Sequence, residues 1–341
     1  MKLKNPFFTI SIPSLNRIES LKLVIDSILR QTFSDYEVLI VDDHSENNIR
    51  DFVKSLKNPK IRFIGNKKRE GFKYTYIKCL LDAKGKYVLT LGNDDMLCNV
   101  DALMNIYGKL SGRNDIGLAK LSLIYYFKEL DKPCFSTRLE KNDVYLKKTD
   151  CLKYFHAIED YSLTHIAGTI YLRELISRED VLDNDLIPFF KILVECALKR
   201  GFLFIAKEYV AVAMSISYLP LFFKKEINEE SWFYVNYRIY KQYVSENVAR
   251  KFVIQKMKDR FPFFISHRSH VGSGAMMFLA KEYVAFDKSF KYNLKMYAYL
   301  FIALISPRKL FFALRDMRYK NFVNRFTAPD EYYKVLSLVE K

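Results

Sequence analysis

No uncharged apolar run in this chain of 341 residues reaches the ~18 residues that a membrane-spanning helix needs. The apolar stretch near the N-terminus is too short, and too soon followed by structured sequence, to read as a signal peptide. Cysteine is scarce: Cys79, Cys98, Cys134, Cys151 and Cys196 are scattered, odd in number and free of any Cys-x-x-Cys pair. That spacing excludes a disulfide framework and fits free thiols in a reducing compartment, so a cytoplasmic protein is expected. Histidine is equally sparse. His267 and His270 form a His-x-x-His without a third ligand nearby, a pattern that reads as ordinary surface or core residues rather than a zinc centre.

What is abundant is apolar and basic. Hydrophobic residues make up 50% and aromatics 16% of the chain, which excludes global disorder and permits one large domain or two smaller ones. The formal charge is +16, and its excess lies mainly in residues 201–341, where 23 Lys and Arg stand against 12 Asp and Glu. Any surface for anionic lipid or nucleic acid is therefore expected in that portion.

The first hundred or so residues alternate strand and helix patterns. Phe7 to Ile12 is an apolar strand, expected to stop at Pro13, which lacks the N–H that a central strand needs. Asn16 with Glu19 matches a capping box for a helix whose apolar positions run Ile18, Leu21, Val24, Ile25, Ile28 and Leu29. Tyr36 to Val41 is a second strand, ending in Asp42 and Asp43. A short helix over 48–56, a third strand at 61–64 and a helix from Phe72 to Ala83 follow. Tyr87 to Leu91 is a buried strand bounded by Gly85 and Gly92, and it ends in Asn93, Asp94 and Asp95. This alternation implies right-handed crossovers and a parallel, doubly wound sheet.

Two strands thus finish in acid pairs on one edge of the sheet, where open α/β folds bind ligands. Hard carboxylate oxygens suit Mg²⁺ or Mn²⁺ against a phosphate. Asp94 and Asp95 also suit the cap of a helix from Met96 to Leu110. The second acid-tipped strand favours the metal and nucleotide reading over the cap.

The segments IPSLNR, DSILRQTFSDYEVLIVDDHSENN and GKYVLTLGNDDMLCNVDAL resemble the nucleotide-sugar-binding half of glycosyltransferase family 2. The resemblance is close over roughly the first 110 residues, looser to about 215 and slight beyond. It implies the GT-A fold, a Rossmann-like, mostly parallel α/β sheet flanked by helices, over residues 1–220, with a helical, basic extension over 221–341. It implies an inverting transferase that moves a sugar from a nucleotide diphosphate, UDP foremost, to a saccharide or lipid-linked acceptor in bacterial surface polysaccharide synthesis, with Mn²⁺ or Mg²⁺ as cofactor. Pro13, Ser14 and Asn16 would line the nucleotide, Asp43 would bond the base, and Asp42 would support the loop. Asp94 would lie near the ribose and metal, and Asp95 on the metal. Gly92 stands where many members carry the first Asp of this motif. Tyr76-Ile77 replaces a common Arg-Asn pair, leaving Lys73 or Arg69 to serve the diphosphate.

The looser part of the resemblance makes Thr164 to Leu172 the floor of the acceptor side, with Gly168 allowing close backbone approach. It gives the general base to Asp185 first and Asp183 second, with Glu159 and Asp160 as stand-ins. An Asp at 185 would equally cap the helix expected over Phe189 to Arg200. Beyond Glu229, Trp232, Val235, Ile239, Tyr243, Phe252, Val253 and Met257 mark amphipathic helices. The segment RKLFFALRDMRYKNFVNRF is basic and Phe-rich, and it reads as an interfacial membrane anchor or as an oligomer contact. Two alternatives accompany the transferase reading: a relative that binds nucleotide sugar without transfer, and a basic nucleic-acid binder. No nucleic-acid motif accompanies the charge, so no nucleic acid is expected as a partner.

Overall fold

The computed structural model describes residues 5–46, 48–127, 132–136, 142–151, 165–177 and 188–214, and, in the last third, 234, 237–238, 240–261, 264–265 and 273–306. These residues fall into two compact units, one reaching Met214 and the other lying within Ser215–Thr327.

The first unit is built on β1 (Phe8–Ser14), β2 (Tyr36–Asp42), β3 (Ile61–Gly65) and β4 (Tyr87–Thr90). Helices α1 (Ile18–Leu29), α2 (Ile49–Ser55) and α3 (Phe72–Leu81) connect them. All three pairings within β3-β2-β1-β4 are parallel, as the strand and helix alternation requires. Apolar side chains drive the assembly. Ile10, Ile12, Val38, Ile40 and Leu89 are fully buried, and α1 lays Leu21, Val24, Ile25 and Ile28 on the same core. Each such side chain removed from water contributes about 1.5–3 kcal/mol.

Beyond β4 the sheet becomes mixed, within the mostly parallel arrangement expected. β5 (Asp95–Leu97), β6 (Leu118–Phe127), β9 (Thr169–Leu172) and β10 (Gly201–Met214) extend it in the order β4-β9-β6-β10-β5. Here β9 is antiparallel to both β4 and β6, and β5 antiparallel to β10, while β6 and β10 run parallel. Parallel pairings still join most of the paired residues. The short β7 (Lys132–Ser136) and β8 (Val144–Lys147) pair with β6 and β10, respectively.

Two local expectations are corrected. β1 does not stop at Pro13 but runs through it to Ser14, with Pro13 opposite Val41. Pro13 shares the side of Ser11, whose carbonyl accepts the Leu91 N–H, and pairing with β4 ends at Ser11. The missing N–H therefore falls where no strand asks for it. The helix expected from Met96 is instead β5 followed by α4 (Ala102–Leu110). Asp94 and Asp95 consequently cap no helix.

Helix α5 (Pro188–Arg200) ends at Gly201, whose φ of 142° and close approach to the Asp115 carbonyl leave no room for a side chain. In the second unit, α6 (Glu246–Asp259) buries Ala249, Val253 and Met257. Phe261, Phe264, Tyr283 and Phe290 form an aromatic cluster with ring centroids 5.6–6.4 Å apart. Helices α7 (Ser273–Phe286) and α8 (Leu294–Ile305) complete what is described there. The RKLFFALRDMRYKNFVNRF segment lies outside the described residues. Among the described residues no helix is long and apolar enough to cross a membrane.

Candidate active site

Because β2, β1 and β4 are successive parallel neighbours, their C-terminal ends lie on one edge, with β2 and β4 roughly 10 Å apart across β1. The Asp43 N–H donates to the Ser14 carbonyl at 2.9 Å, and the Leu91 N–H to the Ser11 carbonyl at 3.1 Å. The two acid-tipped loops are thereby held on either side of the end of β1. Ser14 is buried, and its Oγ finds no hydrogen-bond partner among the described residues.

The carboxylates after β2 divide their work. Asp42 accepts from the Ser45 N–H at 3.0 Å and from the Ser45 hydroxyl. The Ser45 Oγ in turn accepts the Asn16 N–H at 2.9 Å, while the Asn16 side chain accepts the Glu46 N–H at 2.8 Å. Asn16 takes a left-handed φ of 54°, which its short amide side chain tolerates. It therefore ties the β1 and β2 loops together and does not close the expected capping box; Arg17 occupies the N-cap of α1, and its side chain does not cap the helix.

Asp43 is the anchor of the next loop. Its Oδ1 accepts from the Glu70 N–H at 2.7 Å and from Asn66 Nδ2 at 2.9 Å, and its Oδ2 from the Gly71 N–H at 2.9 Å. Burial pushes its pKa up, but these donors outweigh it and hold the carboxyl below its ordinary range. Asn66 also bonds Thr75, and Lys78 clamps Asn66 and Glu70 at 2.8 Å each, so the loop from Asn66 to Gly71 is organised around Asp43.

After β4 the chain folds back on itself. Asp95 is buried, and its Oδ2 accepts the Gly92 N–H. A Cβ at position 92 would come within 2.7 Å of that oxygen and 3.3 Å of Asp94 Oδ1, so glycine is what lets both carboxylates crowd this turn. Desolvation, reinforced by the Asp94 charge, pushes the Asp95 carboxyl up to about 7. Asp94 is more open and forms an ion pair with Arg17, which reaches it from the start of α1. Lys120 of β6 is fully buried; its Nζ donates to the Ala167 carbonyl at 2.8 Å, the Thr169 hydroxyl at 2.9 Å and the His165 carbonyl. Desolvation lowers the Lys120 pKa to about 7, opposed by the charge on Asp95. Gly168, with φ 67°, gives its N–H to the Thr90 carbonyl at 3.0 Å and lies where a Cβ would meet Leu123 at 2.7 Å, the close approach expected of it.

Of the residues expected at the site, Pro13, Ser14, Asn16, Asp43, Asp94 and Asp95 thus come to one edge of the sheet. Lys73 is in the first turn of α3, two residues after the Gly71 that Asp43 holds, and Arg69 forms an ion pair with Glu46 at 3.8 Å. Tyr76, standing where an Arg-Asn pair was expected, is fully buried, its hydroxyl 3.2 Å from that of Tyr171. Asp183, Asp185, Glu159 and Asp160 lie outside the described residues. Sequence reasoning passed over Arg17 and Lys120. Arg17 was within reach, since it directly follows Asn16; Lys120 sits in an apolar strand and carries no local signal. Among the described residues no group of three or more His, Cys, Asp or Glu side chains is assembled to hold a metal ion.

The model of the family described as Glycosyl transferase family 2 matches residues 9–166. WcaA of Escherichia coli K12, named as a colanic acid biosynthesis glycosyl transferase, is 32% identical over 93 residues, 27% of this chain and 33% of that protein. WfgD of Escherichia coli, a UDP-Glc:alpha-D-GlcNAc-diphosphoundecaprenol beta-1,3-glucosyltransferase, is 30% identical over 88 residues, 26% of this chain and 35% of that protein. The chain spans about a third of the length of these curated relatives. Among solved structures, Staphylococcus aureus TarS 1-349 in complex with UDP-GlcNAc has a TM-score of 0.60 at 14% identity, covering 97% of this chain and 90% of that one. The complex of the same protein with UDP has a TM-score of 0.59 at the same identity and coverage. At that identity the likeness shows the fold, the GT-A arrangement of a mixed sheet flanked by helices. Residues 9–166 of this chain therefore match a domain of glycosyl transferase family 2.

Proposed function

We propose that this protein is an inverting glycosyltransferase that takes a sugar from a nucleotide diphosphate, a UDP-sugar, to a saccharide or lipid-linked saccharide in surface polysaccharide assembly. The observation that carries the reading is the convergence of Ser14, Asp43 and the Asp94–Asp95 pair, with Arg17, at the ends of three neighbouring parallel strands. The names of WcaA and WfgD support the pathway, and the UDP-bound TarS structures together with the WfgD donor support uridine.

In this reading the nucleotide lies along the end of β1. The buried Ser14 hydroxyl gains a partner, and Asp43 bonds the base while holding the loop at 66–71. Arg17 is the cation this edge brings to the diphosphate, with Lys73 and Arg69 behind it. The carboxylates fit a divalent ion: Asp94 and Asp95 bring hard oxygen donors together in the one turn that Gly92 leaves room for. Asp94 and Asp95 would hold Mn²⁺ or Mg²⁺, which would neutralise the departing diphosphate. In the transfer itself the bond from the anomeric carbon to the diphosphate oxygen breaks as the acceptor oxygen attacks the opposite face. The acceptor proton passes to a carboxylate, Asp185 or Asp183. The segment beyond residue 220 is assigned to membrane or oligomer contact.

The test is a panel of UDP-, GDP- and dTDP-sugars with Mn²⁺. A donor present at about 100 times its Kd adds about 2.7 kcal/mol to apparent stability. Transfer or hydrolysis should then appear with the stabilising donor and vanish in Asp43→Ala and in EDTA. Absence of stabilisation by every nucleotide, or turnover that survives both treatments, overturns the reading. Binding without turnover selects the non-catalytic relative, which Gly92 and the inward fold of Asp95 favour.

A further inference from the structure

We infer that the outward face of α8 is a docking surface for an anionic phospholipid bilayer. The twelve residues of α8 include one charged side chain, Lys295, and no acid. Met296, Leu300 and Ala303 are buried. The opposite side is apolar too: Leu294 is 84% exposed, Phe301 61%, Ile305 61%, Ile302 43% and Tyr297 40%. At 100° per residue these five positions share one face, turned away from the buried three. A helix apolar on both sides is covered on both sides in its working state.

The surroundings of this face select the cover. The turn of 3₁₀ helix ahead of it, Lys288–Tyr292, leads into α8; Lys288, Lys291 and Lys295 are all exposed, and Lys291 lies over the ring of Tyr292, itself 77% exposed. From 288 to 305 there is no Asp or Glu. The nearest acid, Asp287, is engaged by Arg250 at 3.0 Å and by the Ser289 N–H at 2.9 Å. Three lysines and two exposed tyrosines bordering an apolar face match the headgroup layer of an anionic membrane, with the aromatic rings at the boundary and the ammonium groups on phosphate. An isologous contact between two copies through this face would bring six lysines together without a carboxylate between them. The helix is about 18 Å long, too short to span a bilayer and suited to lying in its surface. The inference stands on the second unit alone and does not depend on the donor site.

The experiment uses the full chain in co-sedimentation with phosphatidylcholine vesicles, with and without phosphatidylglycerol, at low and high NaCl. Binding is expected with the anionic vesicles and should weaken with salt. The double variant Phe301→Ser, Ile305→Ser should lower the partition constant about 100-fold, at roughly tenfold for each side chain kept from lipid. The variant Lys288→Gln, Lys291→Gln, Lys295→Gln should lower it by ten-fold or more. All five positions are exposed, so circular dichroism and thermal midpoints serve as controls for folding. The inference is overturned by a wild-type chain that ignores anionic vesicles, or by binding that neither variant weakens. It is equally overturned by light scattering that shows a dimer, lost in Phe301→Ser, Ile305→Ser, with vesicle binding unchanged.

Discussion

Replacing Asp43 by Asn is the most informative single perturbation of this site. The carboxylate is met by three donors, the Glu70 and Gly71 N–H groups and Asn66 Nδ2, at 2.7–2.9 Å. Asn keeps the shape but offers one acceptor oxygen, and its amide would point a fourth donor at a backbone N–H. Hydrogen bonds to a charged partner are each worth about 1.5–3 kcal/mol and are not additive in one cluster. A net loss of about 3 kcal/mol is therefore expected, or about 6–12 °C in Tm at 2–4 °C per kcal/mol. The pH dependence has a definite sign. The folded pKa is depressed, so the contribution of Asp43 is complete above the unfolded value of 3.8 and is lost as pH falls through the folded one. Glu37 and Asp115 are also depressed and act in the same direction, so the quantity to follow is the difference between wild type and variant. That difference should be level above pH 5 and shrink in more acidic buffer. Hydrogen exchange should show the amides of Glu70 and Gly71 losing protection in the variant. Unchanged protection at these amides with Tm within 2 °C of wild type would refute the claim that Asp43 organises the 66–71 loop.

Three further outcomes follow from the same edge of the sheet. Asp95→Asn should flatten part of the pH–stability curve: the folded pKa of about 7 exceeds the unfolded 3.8, so wild type loses stability from Asp95 as pH rises between them, by about 4 kcal/mol in all, and thermal melts of the pair should diverge upward for the variant by pH 8. Parallel curves would remove the buried-carboxylate account; Lys120, lowered to about 7, loses in the variant the Asp95 charge that holds it up, which adds to the same upward divergence. Arg17→Met should change Tm little, since the pair with Asp94 is partly solvated, yet weaken UDP about ten-fold in calorimetry while leaving uridine unaffected. Equal losses for UDP and uridine would place Arg17 away from the diphosphate. Gly168→Ala should cost about 1–3 kcal/mol by chemical denaturation, because φ is 67° and the new methyl group would meet Leu123; a neutral result would mean that the turn relaxes freely.

Much of this was readable in one dimension. The strands at Tyr36 and Tyr87 announced themselves as β-branched and aromatic runs, and both ended in acids where the resemblance to family 2 also put function. The corrections share one cause. Pro13 was expected to end β1 because a local rule about N–H groups cannot know that β4 turns away at Ser11. Asn16 and Glu19 had the spacing of a capping box, yet the Asn16 side chain found the Glu46 N–H, thirty positions along.

What the sequence alone determined is therefore what short-range physics encodes: where apolar periodicity makes a strand or a helix, and which strands carry carboxylates at their tips. Only the tertiary structure decided that β2 and β4 flank β1, that Arg17 meets Asp94 across 77 positions, and that the donors to Asp43 come from 23 to 28 residues away. Those choices depend on which distant surfaces exclude water together and which buried charges find partners, and neither is written in the pattern of any single segment.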